Sequence, residues 1–403
     1  MGSIVNHAEE KSILRLVYII SIIAFSIIAL YNKDGMAIIL GLFSIALISY
    51  SHFIIRRYFP DGDKYILVLS AFLTEAGLIM LYRIKPYYAI RQLGWFTIGI
   101  TAFILIVVVF PDIEGIKNLK YFYLAMAIGL LCITQIFASD VRGSKNWIYI
   151  GSVGFQPSEF AKIFIIFYLS SALKDFKSKK QLILPGLVIM FSLAMLVIQT
   201  DLGMALIYFC ISLAIVYIAT SNIRYVIAAF FLSILGAVGS FFMFSHVRNR
   251  VAIWIDPWAT ATAGGHQIVQ SLIAIASGGL FGTGLNLGHP TYIPEVHNDF
   301  IFAAICEEFG LLGGIAVIIA YFLLIYRGFR AAIYANDTFS RLVAVGISTM
   351  IGAQAFIIIG GVIKLIPLTG ITLPLISYGG SSMVISYVAL GVLQKISETG
   401  LGG

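Results

Sequence analysis

The stretch PEVHNDFIFAAICEEFGLLGGIAVIIAYFLLIY, residues 294–326, joins a polar turn to a long apolar run. The apolar part, 300–326, is long enough to cross the roughly 30 Å of hydrocarbon in a bilayer as an α-helix. Asp299 lies directly before it, with Glu295 and His297 close by. Ionisable groups at a membrane boundary are costly to hold there unless they are solvated or used. The stretch therefore predicts both a membrane fold and a functional site.

The composition is that of a protein that crosses the membrane many times. Hydrophobic residues make up 60% of the 403-residue chain and charged residues only 11%, more apolar surface than a soluble core needs. Cys132, Cys210 and Cys306 each lie in an apolar run, which argues against a disulfide framework. The first apolar run has no signal-cleavage pattern and is expected to stay as a membrane helix. Topology explains the net charge of +7, so no nucleic-acid partner is expected.

The apolar stretches predict an all-α polytopic membrane protein with about twelve transmembrane helices. They lie near residues 13–31, 36–55, 65–82, 92–110, 121–138, 158–173, 182–198, 202–219, 225–244, 300–326, 342–363 and 380–394. The one long connection, 245–299, is predicted to be a large extracellular loop.

The distribution of basic residues predicts the orientation. With a cytoplasmic N-terminus, most of the 26 Lys and Arg residues fall inside, and the C-terminus is cytoplasmic as well. Asp299 then lies on the outer face, together with the segment 139–157, the turn at Asp201 and the loop 364–379. Four polar segments that are far apart in sequence can therefore converge on one side of the membrane.

Within the long loop, residues 267–276 form a short, partly apolar segment followed by a glycine-rich run, 278–288. The segment is too short to span and favours an interfacial or re-entrant helix. The alternative, a thirteenth span, would move Asp299 to the cytoplasmic side.

Asp299 itself has two interpretations. Asn298 and Asp299 both suit the cap of a helix that starts at Phe300. A cap alone requires neither the Pro-Glu-x-His sequence nor the long glycine-rich loop that precede Asp299. The second interpretation is therefore a functional carboxylate. Glu307 and Glu308 lie deeper in the same helix, where one of them is expected to join a polar network.

A second charged group lies at the start of another predicted span. Glu159 and Lys162 are three residues apart and can pair on one helix face. An unpaired ammonium at that depth is costly, so the pair is either purely structural or part of a cavity. Asp201, at another outer helix end, can complete a Glu–Lys–Asp network.

Several basic residues lie on the predicted outer side of the membrane, although most Lys and Arg residues fall on the cytoplasmic side. Either they snorkel to the interface or they bind an anionic ligand with phosphates, which guanidinium groups hold in a bidentate way. They are Arg142 and Lys145, close to Trp147, then Arg248, Arg250 and Lys364. The turn-rich segment 367–382 is expected to form a cavity wall. The sequence contains no P-loop, no Rossmann glycine pattern and no Cys/His set with metal spacing.

Five motifs resemble, in order, those of the SEDS family (shape, elongation, division and sporulation), whose members include RodA, FtsW and SpoVE. The motifs are Gln156-Pro157-Ser158-Glu159-x-x-Lys162, Gln199-x-Asp201-Leu202-Gly203, Pro294-Glu295-x-His297-x-Asp299, Glu307-Glu308-x-Gly310 and Thr369-Gly370-Ile371-x-Leu373-Pro374-x-x-Ser377-Tyr378-Gly379-Gly380-Ser381. The resemblance covers about residues 65–397. Asn146 departs from the arginine that usually precedes the tryptophan, and Asn298 from a small hydroxyl residue.

The resemblance implies a bacterial peptidoglycan glycosyltransferase that polymerises lipid II at the outer face of the cytoplasmic membrane, for elongation, division or sporulation. A class B penicillin-binding protein is the implied partner, beside membrane lipids. Asp299 is implied as the essential carboxylate, supported by a charged cluster of Glu159, Lys162 and Asp201. Contacts to the substrate's diphosphate and sugars are expected from Arg142, Lys145, Trp147, Arg248, Arg250, His297, Lys364 and Ser377. No cofactor is identified, and a divalent cation at the diphosphate stays an open alternative.

The family core has ten helices, so residues 1–64 are expected to form a two-helix N-terminal extension and 65–403 the polymerase core. Two other functions share the general features. A lipid II flippase would also need many helices and buried charges, and a non-catalytic scaffold would only recruit cell-wall enzymes. The informative residues cluster on one face, which favours surface chemistry over transport.

Overall fold

The computed structural model describes residues 7–59, 62–110, 113–141, 144–151, 153–262 and 264–401. Within these ranges the chain forms fourteen α-helices and one small sheet. The helices are α1 (His7–Asn32), α2 (Met36–Tyr58), α3 (Tyr65–Ile84), α4 (Pro86–Val109), α5 (Lys120–Phe137), α6 (Pro157–Leu173), α7 (Ile183–Ile198), α8 (Leu202–Thr220), α9 (Ile223–Met243), α10 (Ser245–Ile255), α11 (His266–Gly278), α12 (Ile301–Tyr334), α13 (Thr338–Val362) and α14 (Gly380–Leu401). The strands are β1 (Ser139–Val141), β2 (Ser144–Ile150) and β3 (Val153–Phe155).

The predicted membrane helices are present. Every one of the apolar stretches falls on a helix, and among the described residues ten helices are long and apolar enough to cross a membrane. These are α1 to α5, α7 to α9, α12 and α13, so the chain is a multi-pass membrane protein. The other two are α6, which has 17 residues and carries Glu159 and Lys162, and α14. A total of twelve spans stays a prediction.

The long connection 245–299 contains two short helices. α10 has 11 residues and α11 has 13, and neither is long enough to cross the bilayer. The interpretation of 267–276 as a helix too short to span is therefore confirmed. The segment 139–157 is not a plain connection, because it contains the antiparallel sheet β1-β2-β3. Its middle strand is rich in aromatic and β-branched residues, which suit a pleated surface.

The span predicted over 300–326 lies on α12, which is interrupted at Gly310. This residue has φ 68° and ψ −169°, a conformation that is essentially restricted to glycine. A Cβ atom there would lie 2.5 Å from the Leu280 carbonyl oxygen. The loop after α11 fits into the interruption, since the Leu311 N–H donates to the Gly279 carbonyl (2.9 Å) and the Thr283 N–H to the Glu307 carbonyl (2.9 Å). The backbone groups freed by the break are thus paired within the protein, as the membrane requires.

The chain divides into two compact units. The first comprises Met1–Phe110, Ile273–Arg327 and Thr372–Gly403, and the second Pro111–Leu272 and Gly328–Ile371. In the first unit the N-terminal helix pair is bonded to α3. The Ser21 hydroxyl donates to Glu75 (2.7 Å), and the Tyr82 hydroxyl donates to Asp34 (2.5 Å). The predicted boundary between 1–64 and 65–403 stays a prediction.

Candidate active site

Asp299 lies in a half-buried turn just before α12, in the first unit. The turn is attached to the segment before α14 by two hydrogen bonds. The Ser377 hydroxyl donates to the Asn298 carbonyl (2.5 Å), and the Tyr378 N–H donates to the His297 carbonyl (2.9 Å). The two residues that precede Asp299 are therefore held in place through their backbone.

The segment 373–379 is in turn held by Gln92 of α4, which is 1% exposed. The Gln92 amide donates to the Ser377 carbonyl (3.0 Å), and its oxygen accepts from the Gly379 N–H (3.2 Å). Residues 373, 375, 376 and 377 are buried, so this part of the expected cavity wall is packed inside protein. A chain of contacts runs from Gln92 through Ser377 to the turn that carries Asp299.

We expect Gln92→Leu to destabilise the protein by about 2 kcal/mol, because it removes two buried hydrogen bonds worth roughly 1 kcal/mol each. The midpoint of thermal unfolding in detergent should fall by several degrees. Thr101→Val is the matched control on the same helix, since Thr101 is exposed and bonds only to its own helix. Equal midpoints for Gln92→Leu and wild type would show that other contacts hold the segment.

Aromatic rings pack against His297, and two cations lie beside tyrosines of the same group. The Tyr88 ring is stacked on the His297 imidazole, with centroids 3.9 Å apart, and the Tyr378 ring centroid is 5.0 Å from that of Tyr88. The Lys85 ammonium lies 5.8 Å from the Tyr88 centroid, and the Arg91 guanidinium donates to the neighbouring Tyr87 hydroxyl (2.7 Å). Aromatic faces, an imidazole and two cations thus lie near the Asp299 turn.

Sequence reasoning missed Gln92, Tyr88 and the cations Lys85 and Arg91 as site residues. The available signal was the sequence Lys85-Pro86-Tyr87-Tyr88 at the start of a membrane helix, where a cation and two aromatic side chains stand together. Burial raises the pKa of Tyr378, and the Arg91 charge opposes that shift only in part. Its phenol therefore stays protonated at neutral pH and can donate a hydrogen bond.

Glu307 and Glu308 confirm the expected polar network, and both take part. Glu308 accepts from the Arg83 guanidinium (2.8 Å) and from the Asn286 N–H (3.1 Å). Glu307 accepts from the His289 N–H (2.8 Å). These carboxylates attach the glycine-rich loop to the broken helix α12.

In the second unit, the predicted pair between Glu159 and Lys162 is present. The Lys162 ammonium lies 2.6 Å from a Glu159 carboxylate oxygen, and the two side chains are 1% and 3% exposed. The Lys162 ammonium also donates to the Gln354 side chain of α13 (2.8 Å). The polar partner that completes the group is therefore Gln354.

The expected direct link between Lys162 and Asp201 is not formed. One Asp201 oxygen accepts from the Asn146 amide (2.9 Å) and from the Gln156 amide (3.0 Å), while the other caps α8 through the Met204 N–H (3.2 Å). Asp201 thus ties the small sheet to the starts of α6 and α8. Asn146, which replaces the usual arginine, serves this contact.

The candidate phosphate ligands of the long loop have different environments. The Arg250 guanidinium donates to the Thr369 carbonyl (2.9 Å), and the Lys364 ammonium donates to the Ile255 carbonyl (3.2 Å), so both join α10 to the segment 364–369. Arg248 is exposed, and its side chain makes no hydrogen bond to another described residue. Their binding to phosphate stays a prediction.

The candidates of the small sheet differ likewise. Arg142 lies outside the described residues. Lys145 is exposed on β2, where its N–H donates to the Gln199 carbonyl (3.2 Å), and Trp147 is half-buried beside the Tyr149 ring. In the described part of the chain, no group of three or more His, Cys, Asp or Glu residues is placed to hold a metal ion.

Comparison with known proteins places these motifs in a family. The family profile named for FtsW, RodA and SpoVE, described as "Cell cycle protein", matches residues 64–400. The chain belongs to the FtsW/RodA/SpoVE family. The resemblance of its motifs to the SEDS family is thereby confirmed.

Members of the FtsW/RodA/SpoVE family are similar to this chain over most of its length. The peptidoglycan glycosyltransferase RodA of Mycobacterium tuberculosis is 34% identical over 390 residues, covering 89% of this chain and 82% of the relative. Stage V sporulation protein E of Bacillus subtilis is 34% identical over 356 residues, covering 83% of this chain and 97% of the relative.

Solved structures of the family share the fold. A chain from a structure of a peptidoglycan synthase complex that coordinates polymerization and crosslinking matches with a TM-score of 0.74 and 26% identity. The match covers 84% of this chain and 98% of that chain. The crystal structure of the rod shape determining protein RodA of Thermus thermophilus matches with a TM-score of 0.63 and 25% identity, covering 84% of this chain and 97% of that chain. The all-α membrane fold expected from the sequence is confirmed.

Proposed function

We propose that this protein polymerises lipid II into glycan strands at the outer face of the bacterial cytoplasmic membrane, with Asp299 as the general base. By its family and its curated relatives it is a peptidoglycan glycosyltransferase. The observation that supports the role of Asp299 is its turn. Ser377 and Tyr378 hold the preceding backbone, the Tyr88 ring is stacked on His297, and Lys85 lies beside Tyr88.

In the proposed reaction, a hydroxyl of the acceptor sugar attacks the anomeric carbon of the donor sugar. Asp299 takes the hydroxyl proton as the new glycosidic bond forms and the bond to the diphosphate oxygen breaks. A positioned base of this kind contributes about 10²–10⁴-fold to the rate. The undecaprenyl diphosphate leaves with both electrons of the broken bond, so cations that meet it lower the barrier.

Lys85 and Arg91 are the cations that we assign to the diphosphate in the first unit, because they lie beside the Tyr87 and Tyr88 rings. The aromatic ring of Tyr88, next to His297, offers a surface on which a sugar ring can pack.

The partner proposed for this chain is a class B penicillin-binding protein. It is supported by the similarity to a chain of a complex that joins polymerization to crosslinking. The proposed topology has cytoplasmic N- and C-termini and an outer active site. It follows from the excess of Lys and Arg on the side of the N-terminus.

The test is an assay with purified chain and lipid II, with and without the partner, that resolves glycan polymers by gel electrophoresis. Glycan strands that require Asp299 would support polymerisation. A flippase would move lipid II across liposome membranes without forming polymer, and a scaffold would do neither. Either of those two results would overturn the proposal.

A further inference from the structure

The inner ends of α1 and α2 form an open, basic cavity of about 510 Å³. Its lining contains four cations, two hydroxyl groups and a histidine, and no carboxylate among the described residues. The lining residues are Lys11, Leu14, Arg15, Tyr18, Ser49, His52, Phe53, Arg56 and Arg57. The cavity lies outside residues 64–400, the part that the family profile covers, and it contributes nothing to the Asp299 turn.

The polar groups of this cavity are available to a ligand. The side chains of Lys11, Arg15 and Arg57 are exposed and make no hydrogen bond or ion pair with another described residue. The Ser49 hydroxyl donates to the Tyr18 oxygen (2.8 Å), so the Tyr18 proton is left to donate elsewhere. Cations and a hydroxyl donor that converge on one cavity suit the oxygens of a phosphate group.

Acidic groups do not cancel this charge. Glu10 is buried and bonded to the side chain of His52, a lining residue, so one carboxylate stands against the four cations. The cavity therefore keeps an excess of positive charge.

Exposed apolar side chains follow the cavity along the same helix pair. Lys11, Arg15, Tyr18 and Ile22 follow one another at helical spacing on one face of α1. Ile22 borders a second, narrow cavity together with Leu42 of α2, and both side chains are exposed. The surface of this helix pair is thus basic at one end and apolar further along.

We propose that this surface of α1 and α2 binds an anionic phospholipid, with the phosphate of the headgroup among the four cations and an acyl chain along Ile22 and Leu42. A basic end followed by exposed apolar side chains matches an amphiphile better than a free anion or an acidic peptide, which has no apolar chain to place there. Basic pockets between membrane helices on the cytoplasmic side bind such headgroups. In the proposed topology the lipid belongs to the inner leaflet. The binding itself does not rest on the polymerase activity.

The test measures lipid retention by native mass spectrometry on the full chain purified in detergent, with cardiolipin, phosphatidylglycerol or phosphatidylethanolamine added in turn. We expect the two anionic lipids to be retained in preference to phosphatidylethanolamine. The triple variant Arg15→Gln, Arg56→Gln, Arg57→Gln should bind them at least about tenfold more weakly, since each cation contributes to headgroup attraction. The matched control is Lys177→Gln, Lys179→Gln, Lys180→Gln, which removes the same charge from an exposed loop.

Several outcomes would overturn the proposal. Equal losses in the two triple variants would mean that only the overall charge attracts lipid. Equal retention of phosphatidylethanolamine would exclude recognition of an anionic headgroup. Displacement of the lipid by millimolar inorganic phosphate would show a simple phosphate site. Replacement of the three arginines by lysine keeps the charge and should restore most of the binding, which separates loss of the site from loss of folding.

Discussion

In the Asp299→Asn variant we expect the rate of lipid II polymerisation to fall by about 10²–10⁴-fold. The amide has nearly the same shape as the carboxylate but cannot accept the proton of the attacking hydroxyl. The Ser377 and Tyr378 contacts to the turn involve the backbone of Asn298 and His297, so the substitution leaves them in place. Glycan length and amount on gels, with purified chain and partner, measure the effect.

The matched control for this variant is Asp256→Asn. Asp256 lies in the same long connection, 245–299, and its carboxylate caps a short helical turn through the Trp258 and Ala259 N–H groups, which asparagine can also do. The control loses the same charge and should keep its activity. Lipid II binding and the thermal midpoint should be unchanged in both variants. Polymerisation of Asp299→Asn within tenfold of wild type would remove Asp299 from the role of base.

The second large effect is expected for Lys162→Met, which should destabilise the protein by about 3–5 kcal/mol. Removing one member of a buried ion pair leaves the other charge without compensation. Here Glu159 would keep a buried carboxylate, and the Gln354 oxygen would lose its donor. Low yield and a lower midpoint of thermal unfolding in detergent are the expected measurements.

The double variant Glu159→Gln, Lys162→Met tests the cause of this loss. It removes both charges together, so it should recover much of the stability that the single variant loses. Lys177→Met, at an exposed position after α6, is the control for a lysine replacement without burial and should change little. If Lys162→Met instead gives a well-folded but inactive protein, a direct role of the ammonium in catalysis would replace the structural role.

The features that the sequence predicted correctly depend on short stretches of chain. Every predicted apolar stretch is a helix, because about twenty apolar residues in a row specify a membrane helix without any knowledge of their neighbours. The pair between Glu159 and Lys162 follows in the same way from a spacing of three residues on one helix.

The features that it missed depend on distant partners. Gln92 donates a hydrogen bond to Ser377, 285 residues away. Nothing in the sequence around either residue predicts this contact. The link expected between Lys162 and Asp201 is replaced by Gln354 on one side and by Asn146 and Gln156 on the other. Each of these amides has several possible partners, and packing selects one.

The Asp299 turn contains both kinds of feature, those that consecutive residues determine and those that depend on tertiary packing. By itself the sequence determined that a carboxylate precedes a long apolar run, since hydropathy and charge are properties of consecutive residues. Only the tertiary structure decided that α12 breaks at Gly310, because the break depends on the loop 279–284 meeting that backbone. It also decided that Tyr88 and Ser377 flank the turn, because the free energy of these contacts exists only once α4 and the segment before α14 are packed together.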